Sequence, residues 1–421
     1  MSRTRILVVL VLACLASPAI SSIEAQTPSA SKPYSLVIKG GHVIDARNRI
    51  DEVMDVAIAA GSIAVVAKNI DPNLGVQVVQ AKGLYVTPGL IDLHTHVFAG
   101  PNQGIGNGNG SVAPDGYTFR AGVTTVVDCG SAGWKSFPLF KKNIVDRSQT
   151  RVLSFLNIVG EGMRGRADYE QNVDDMDAQM AAKTALAHKD VVVGFKLAHF
   201  ATFSWTPVQR LVEAGTLANM PVIVDLGYPL PLEEFFNRLR PGDIYTHVFT
   251  EAPRREPVVD VKTRQLRPFV IPAQKRGILF DVGFGAGSFD FDQAVPAIKA
   301  GFVPNTMGTD IHTGSMNAGM KDELNVLSTF MAMGLPLRDV IVRSTWAPAQ
   351  AIKHEELGHL SVGAVADVAI LRVREGRFGF RDTAGKSLKG GGTQRLECEM
   401  TIKGGRIVYD LNAMATRSEE K

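Results

Sequence analysis

The sequence predicts an α/β fold, a (β/α)8 barrel of the TIM type, together with a small β-sandwich domain assembled from both ends of the chain. Two observations support this prediction. Between about Gly89 and Ile352, eight short apolar runs alternate with helix-like segments, and eight is the number of parallel strands that closes such a barrel. At the chain ends, residues 36–45 and 400–410 echo one another, each with a Gly-Gly pair between two strand-like runs, a pattern typical of β-hairpins.

The apolar runs supply the predicted barrel strands. They are Leu90–Leu93, Thr124–Val127, Val152–Ile158, Val191–Phe195, Val222–Val224, Ile244–Val248, Ile278–Val282 and Thr306–Thr309. A doubly wound open sheet also alternates strands with helices, but it would rarely need eight units in a row. Because barrel enzymes place their chemistry at the C-terminal ends of the strands, polar and metal-capable residues are expected there.

These patterns divide the chain into consecutive segments. We predict a signal peptide at 1–25, the first part of the β-sandwich at 34–88, the barrel at 89–356, the second part of the β-sandwich at 357–411 and a polar tail at 412–421.

The N-terminus has the composition of an export signal. Arg3 and Arg5 precede an apolar run from Ile6 to Ala16, and Ala25 offers a cleavage site. The run is too short to span a bilayer comfortably, and a lipoprotein signal at Cys14 is disfavoured by the residues before it. We therefore expect a cleaved, exported protein that is periplasmic or secreted and has no stable membrane span.

Charge and cysteine content argue against a nucleic-acid-binding protein and against a disulfide-stabilised one. The 45 basic and 42 acidic residues are well mixed, without a basic stripe that alternates with aromatic residues, so nucleic-acid binding has little support. After signal cleavage only Cys129 and Cys398 remain, too far apart in the chain to predict a disulfide framework. Neither is a credible nucleophile. We expect a small-molecule substrate, and the protein could also form a homo-oligomer.

Metal-capable side chains follow the predicted strands. His94 and His96 end the first strand, and their period-two spacing points both imidazoles toward the barrel axis, a suitable start for a zinc site. His247 ends the sixth strand and Asp310 follows the eighth. His312 lies just beyond. His199 falls just past a strand as well. Asp310 suits a general base that takes a proton from activated water.

Lys196 closes the fourth strand, where a lysine is unusual because lysine is almost never fully buried unless it is paired. It is either a snorkelling or salt-bridged lysine, or a lysine whose burial keeps its amine neutral enough to react with carbon dioxide. The resulting carbamate would bridge two metals.

The whole set of motifs resembles the amidohydrolase superfamily. The resemblance rests on Pro88–His96, Lys196, His247 and Asp310 together with the split β-domain. Four further segments narrow it to the amidohydrolase/deacetylase branch, beside dihydroorotases and D-aminoacylases. They are Gly160-Glu161, Arg240-Pro241-Gly242-Asp243, Phe280-Asp281-Val282-Gly283 and Ser315–Asp322.

The resemblance implies a binuclear site, usually with Zn²⁺. His94 and His96 would bind one metal together with Asp310, Lys196 would bridge as N6-carboxylysine, and His247 would hold the second metal. Asp225 occupies the place where many relatives have a histidine at the end of the fifth strand. We favour Asp225 as a ligand because a bare carboxylate near cations binds them readily.

Two departures from the family pattern leave alternatives open. If Asp225 is not a ligand, it would orient His247, and only one metal would bind tightly. Phe284 stands where relatives often carry a histidine, which would make the pocket more apolar if that position contacts substrate.

The resemblance implies a deacetylase-like hydrolase that acts on carbon–nitrogen bonds other than peptide bonds. We expect it to cleave the amide or ester bond of a small N- or O-acylated acid with a metal-activated hydroxide, Asp310 serving as general base and acid. Candidate substrate-binding residues on the barrel-top loops are Arg164, Tyr228, His312 and Asn317. The alternatives are a cyclic-amide or lactone hydrolase with the same site, or an exported binding protein with a degenerate metal site.

Overall fold

The structure is a computed structural model that describes residues 32–100, 110–163, 168–228, 230–252 and 255–417. The predicted signal peptide, Arg164 and most of the glycine-rich segment between Gly100 and Gly110, which the sequence suggests is a loop over the barrel mouth, lie outside the described residues. Within those ranges, no helix is long and apolar enough to cross a membrane.

The described residues form sixteen strands in two sheets. They are β1 (Tyr34–Asp45), β2 (Ile50–Ala59), β3 (Ser62–Ala67), β4 (Gly75–Gln80), β5 (Tyr85–Pro88), β6 (Leu90–Thr95), β7 (Val123–Gly133), β8 (Arg151–Asn157), β9 (Val192–Leu197), β10 (Val222–Val224), β11 (Ile244–Tyr245), β12 (Leu279–Phe280), β13 (Val368–Phe378), β14 (Gly392–Lys403), β15 (Arg406–Asp410) and β16 (Ala415–Arg417).

The central sheet is the predicted barrel. Strands β6 to β12 pair in chain order, and every pairing between neighbours is parallel. Their residues are almost all buried, as expected for parallel strands covered on both faces. The α/β barrel fold is therefore confirmed.

The eighth strand is irregular where the sequence predicts Thr306–Thr309 as a regular strand. The chain makes single parallel bridges from Thr306 to Asp281 and from Ile311 to Thr95, and these close the ring between β12 and β6. No regular pairing is described over this segment, and Asp310, directly after it, has a left-handed φ of 52°. The backbone N–H of Asp310 still donates to the carbonyl of His94 at 2.7 Å, which holds this segment beside β6.

Ten α-helices are described. They are α1 (Phe137–Phe140), α2 (Ala178–Ala187), α3 (Thr206–Ala218), α4 (Leu232–Arg238), α5 (Val270–Lys275), α6 (Phe291–Lys299), α7 (Thr313–Met316), α8 (Glu323–Ala332), α9 (Leu337–Val342) and α10 (Trp346–Ala351).

Helix α3 illustrates how the sequence sets these elements. Val208, Leu211, Ala214 and Ala218 recur at helical spacing and are all buried against the barrel. Pro207 lies in the first turn, where its missing N–H costs nothing. The helix ends at Ala218 and is followed by Asn219, whose left-handed φ of 54° is a common C-terminal signal.

The second sheet combines strands from both chain ends in the order β15-β14-β13-β5-β1-β2-β3, with β4 paired to β1 and β16 paired to β4. The strands thus belong to one branched hydrogen-bonded network. Its core joins Ile38 and Val56 from the N-terminal part to Ile370 and Met400 from the C-terminal part. The predicted β-rich domain built from both ends is confirmed, and β16 lies inside the segment predicted as a polar tail.

The two Gly-Gly motifs behave differently. Gly404 and Gly405 both have positive φ and form a tight hairpin between β14 and β15. The hairpin predicted at Gly40-Gly41 is wrong, because β1 continues through it with a bulge. A Cβ on Gly41 would lie 2.4 Å from Val86, so close packing against β5, not a turn, requires glycine there.

Candidate metal centre

His94 is fixed from its Nδ1 side. Nδ1 lies 2.9 Å from Thr246 Oγ1 and 3.2 Å from Asp281 Oδ2, and the Thr246 hydroxyl donates to the same Asp281 oxygen at 2.8 Å. These acceptors make Nδ1 the protonated nitrogen and leave the lone pair on Nε2. Burial, with the charge of Lys196, lowers the pKa of His94 to about 4. The imidazole is therefore neutral, as a metal ligand must be.

The Nε2 atom of His94 is buried and has no hydrogen-bond partner among the described residues. Its ligand atom, one of His247 and one carboxylate oxygen of Asp310 all lie within 4.8 Å of one another. Buried polar atoms without a partner are rare, and two imidazoles with a carboxylate form a donor set that suits zinc. The residues at this position therefore fit a metal ion.

Asp310 lies at the centre of the cluster. Its Oδ1 is 3.0 Å from His96 Nε2 and 3.6 Å from His94 Nε2, and Nδ1 of His96 is held by Ser131 Oγ at 3.0 Å. Burial opposes the charge, but the three histidines hold the pKa of Asp310 far below its ordinary value. A Cβ on Gly285 would lie 2.4 Å from Asp310 Oδ2, so the carboxylate needs glycine at that position.

His247 faces the cluster from the end of β11. Its Nδ1 donates to the carbonyl of Gly283 at 2.6 Å, which directs Nε2 toward Asp225 Oδ2, 3.3 Å away. A Cβ on Gly283 would come within 2.7 Å of the His247 ring.

Lys196 is fully buried at the end of β9. Gly130, with a left-handed φ of 87°, makes room for it, since a Cβ there would lie 2.6 Å from Lys196 Cγ. Burial lowers the pKa of Lys196, but Cys129, Asp225 and Asp310 raise it above its ordinary value. These neighbouring groups thus oppose the effect of burial, which favours a neutral amine. Divalent cations bound nearby would instead lower the pKa of Lys196, because they repel an ammonium.

Asp225 is not the bare carboxylate that the sequence suggests. Oδ1 accepts from Nη2 of Arg255, and Oδ2 lies 3.2 Å from His199 Nε2 and 3.3 Å from His247 Nε2. Burial opposes its charge, but Arg255, His247 and His199 hold the pKa of Asp225 well below its ordinary value. The argument from a bare carboxylate is therefore weakened, although the contact with His247 lies at Nε2, the nitrogen that Gly283 leaves for a metal.

A cavity of about 540 Å³ opens above these residues. His312 belongs to its wall and accepts from Gly314 N–H through Nδ1 at 3.1 Å, which makes Nε2 the nitrogen that carries the proton. Tyr228 instead packs edge-on against Phe203 beside a neighbouring crevice. The amide nitrogen of Asn317 donates to Thr313, and Asn317 is not part of the described wall.

Phe284 does not change the pocket as expected, because its side chain is fully buried in the core. It stacks on Phe289 with ring centroids 4.1 Å apart.

The sequence interpretation gave no role to Asp281, Ser131 or Arg255. Asp281 could have been found from the sequence, because it is an acidic residue near the end of the seventh apolar run. The candidate ligands lie at the ends of the other runs. Arg255 lies in an irregular segment after β11, where no periodicity marks it.

The chain is similar to several known proteins, although no protein-family model matches it. A deacetylase of Brucella anthropi is 31% identical over 343 residues, which cover 80% of this chain and 83% of the relative. The crystal structure of an adenine deaminase has a TM-score of 0.81 at 26% identity, covering 90% of this chain and 100% of that one. A dihydroorotase structure has a TM-score of 0.79 at 24% identity, covering 89% and 99%, and supports the fold.

A (β/α)8 barrel with histidines and an aspartate at its strand ends defines the class of metal-dependent hydrolases. The chain belongs to the amidohydrolase superfamily. It is a hydrolase of carbon–nitrogen bonds other than peptide bonds.

Proposed function

We propose that this protein is a deacetylase-like hydrolase that cleaves the amide or ester bond of a small N- or O-acylated acid. The observation that carries the proposal is the buried Nε2 of His94, which lies beside His247 and Asp310 at the mouth of the barrel and has no hydrogen-bond partner in the described part of the chain. A relative that aligns over most of both chains, from Brucella anthropi, is named a deacetylase, which supports acyl cleavage as the reaction.

We propose Zn²⁺ as the cofactor, with two ions per chain. His94, His96 and Asp310 would hold one ion, His247 the other, and Lys196 as N6-carboxylysine would bridge them. Asp225 would either ligate the second ion or orient His247. When bound, such ions lower the pKa of water to about 7 and polarise a carbonyl oxygen.

Asp310 is the proposed general base and acid. It is ionised, its Oδ1 faces both His94 and His96, and it belongs to the cavity wall. In the proposed reaction it takes a proton from the attacking water and returns it to the departing nitrogen or oxygen. His312 Nε2–H would donate to the substrate. Arg164, Tyr228 and Asn317 are weaker candidates for substrate contact.

The cellular setting is also a proposal. The charged and apolar N-terminal segment supports export to the periplasm or outside the cell, with cleavage after Ala25. The expected partner is a small-molecule substrate and not a nucleic acid. Formation of a homo-oligomer is to be tested by measuring the mass of the protein in solution.

The test is a hydrolysis panel with zinc-loaded protein that begins at Gln26. The panel contains N-acetyl amino acids, O-acetyl hydroxy acids, cyclic amides and lactones. Cleavage of the acyclic acids is expected, and it should fall strongly in Asp310→Asn. Preference for the cyclic substrates would replace this proposal by cyclic-amide hydrolysis. Less than one tightly bound zinc per chain, with no turnover, would favour a binding protein with a degenerate site.

A further inference from the structure

The connection between β13 and β14 leaves the β-domain and packs on the barrel. This connection, the arm, comprises residues 379–391. Two of its apolar side chains, Phe380 and Leu388, are buried in the same hydrophobic cluster as Phe289 of the barrel, whereas a separate cluster forms the core of the β-domain. The arm is therefore part of the packing of the barrel, although both of its ends belong to strands of the β-domain.

Thr383, in the turn of the arm, holds both backbone groups of Phe289. Its Oγ1 accepts from the N–H of Phe289 at 3.2 Å and donates to the carbonyl of Phe289 at 2.8 Å. The backbone N–H of Thr383 donates to the same carbonyl at 3.0 Å. Two of these three hydrogen bonds belong to the hydroxyl group, so a valine of the same shape would remove them.

Asp382, the neighbouring residue of the arm, fixes the start of helix α6. Its Oδ2 accepts from the backbone N–H of Phe291, the first residue of that helix, at 3.3 Å. The carboxylate of Asp290, which precedes the helix, accepts instead from the N–H of Glu251 at 2.7 Å. Because the first N–H groups of a helix need acceptors from outside the helix, the arm supplies at α6 an acceptor that the preceding residue directs elsewhere.

Phe289 and Gly285 bound a short segment of the cavity wall. The residues between them, 286–288, belong to that wall, and Gly285 approaches Asp310 so closely that a Cβ on it would lie 2.4 Å from Oδ2. Phe289 also stacks on Phe284, the residue before Gly285. Because close-packed interiors transmit displacements, the position of Phe289 affects the position of Gly285 and of the carboxylate beside it.

We propose that Thr383 is a positioning residue for Asp310. By fixing Phe289, its hydroxyl group keeps Gly285 against the Asp310 carboxylate, and the β-domain thereby takes part in the site at the barrel mouth. The inference rests on the proposed role of Asp310 in zinc binding and hydrolysis. Without the hydroxyl group the fold remains, but the segment from Gly285 to Phe289 gains freedom and the carboxylate is held less firmly.

The test compares Thr383→Val with Thr383→Ser, which keeps the hydroxyl group. Zinc affinity, measured by competition with a fluorescent chelator, should fall about tenfold in the valine variant and stay within about twofold of the wild type in the serine variant. For a substrate that the wild type cleaves, kcat should fall by a similar factor while KM changes by less than about threefold. Thr383→Ala removes the same hydroxyl group with less bulk and provides a second variant.

Thr401→Val is the matched control. Thr401 is buried in β14, and its hydroxyl group donates to the carbonyl of Phe119 at 2.7 Å. The same substitution thus removes another contact between the β-domain and the barrel, but at the N-terminal end of β7, opposite the cavity. Its zinc affinity and kcat should equal those of the wild type, even where urea unfolds it more easily. An equal loss of zinc affinity in both valine variants would indicate a general loss of stability and overturn the inference.

Hydrogen exchange in zinc-free protein measures the positioning without metal or turnover. The amide of Gly285, which donates to the carbonyl of Thr309 at 2.9 Å, should exchange about tenfold faster in Thr383→Val. The amide of Asp281, which donates to the carbonyl of Tyr245 at 2.9 Å, should be unchanged. Mass spectrometry with fragmentation resolves the two positions.

This measurement also separates the inference from the proposed function. Faster exchange at Gly285 with weaker zinc binding in Thr383→Val, in a protein that hydrolyses no panel member, would uphold the positioning role and overturn the hydrolase proposal. Exchange at Gly285 and zinc affinity equal to those of the wild type would overturn the positioning role, whatever the hydrolysis result.

Discussion

Asp281 Oδ2 lies 3.2 Å from His94 Nδ1, and the opposite nitrogen of the same ring is buried without a partner among the described residues. Asp281 also accepts from Thr306 Oγ1 at 2.7 Å and from Gly308 N–H at 2.9 Å. Although burial raises the pKa of Asp281, these donors and His94 keep it below its ordinary value. The carboxylate therefore sets which nitrogen of His94 is offered to a metal.

Replacing Asp281 by asparagine should weaken zinc binding about 10- to 100-fold, because the amide no longer fixes the tautomer and orientation of His94. Competition with a fluorescent zinc chelator measures the affinity. The control is Asp292→Asn, an exposed carboxylate paired with Lys386. Unchanged zinc affinity in Asp281→Asn would show that this contact does not orient the ligand.

Replacing Gly285 by alanine should lower kcat about a hundredfold, since a shift of about 1 Å in a reacting group has that effect. The new Cβ would lie 2.4 Å from Asp310 Oδ2, and the left-handed φ of 60° adds strain. Gly287→Ala is the control, because a Cβ there meets nothing within 4 Å. Rates are normalised to zinc-loaded protein, and equal rates in the two variants would contradict the prediction.

Removing the amine with Lys196→Ala should abolish most zinc binding, measured as metal content per chain after gel filtration. The side chain is buried between β7 and the cluster, so no other group replaces it. A short carboxylic acid such as propionate, supplied with bicarbonate, should partly restore zinc and activity. Lys189→Ala, at an exposed position, should keep its metal. Full zinc content in Lys196→Ala would exclude a bridging lysine.

Asp92 makes the stability of the metal-free protein depend on pH. Burial raises its pKa to about 7 despite hydrogen bonds from Thr309 and His94. Between about pH 4 and 7 the native state thus binds more protons than the unfolded state, and this contribution to stability is lost as pH rises.

Asp92→Asn mimics the protonated form. The free energy of unfolding of the wild type, relative to this variant, should fall by about 1 kcal/mol per pH unit between pH 4 and 7. Urea unfolding in the presence of a chelator measures it. A difference that does not change with pH would contradict the raised pKa.

Periodicity in the sequence was sufficient to predict the barrel and most of the cluster. Alternation over two residues places His94 and His96 on one side of β6, and strand ends gather at one rim, so Lys196, His247 and Asp310 could be expected together. The Gly40-Gly41 pair shows the limit of such local patterns. The same residues at Gly404-Gly405 form a turn, whereas Gly41 lies within β1 and packs against Val86.

The sequence by itself determined the fold class, the two-ended β-domain and most of the cluster at the barrel mouth, because strand ends and alternation depend on spacing along the chain. Only the tertiary structure decided the state of Asp225. Its partner Arg255 comes from an irregular segment 30 residues later, and His199 reaches it from beyond β9. Ion pairs of this kind depend on where loops lie in space, and no local periodicity encodes that position.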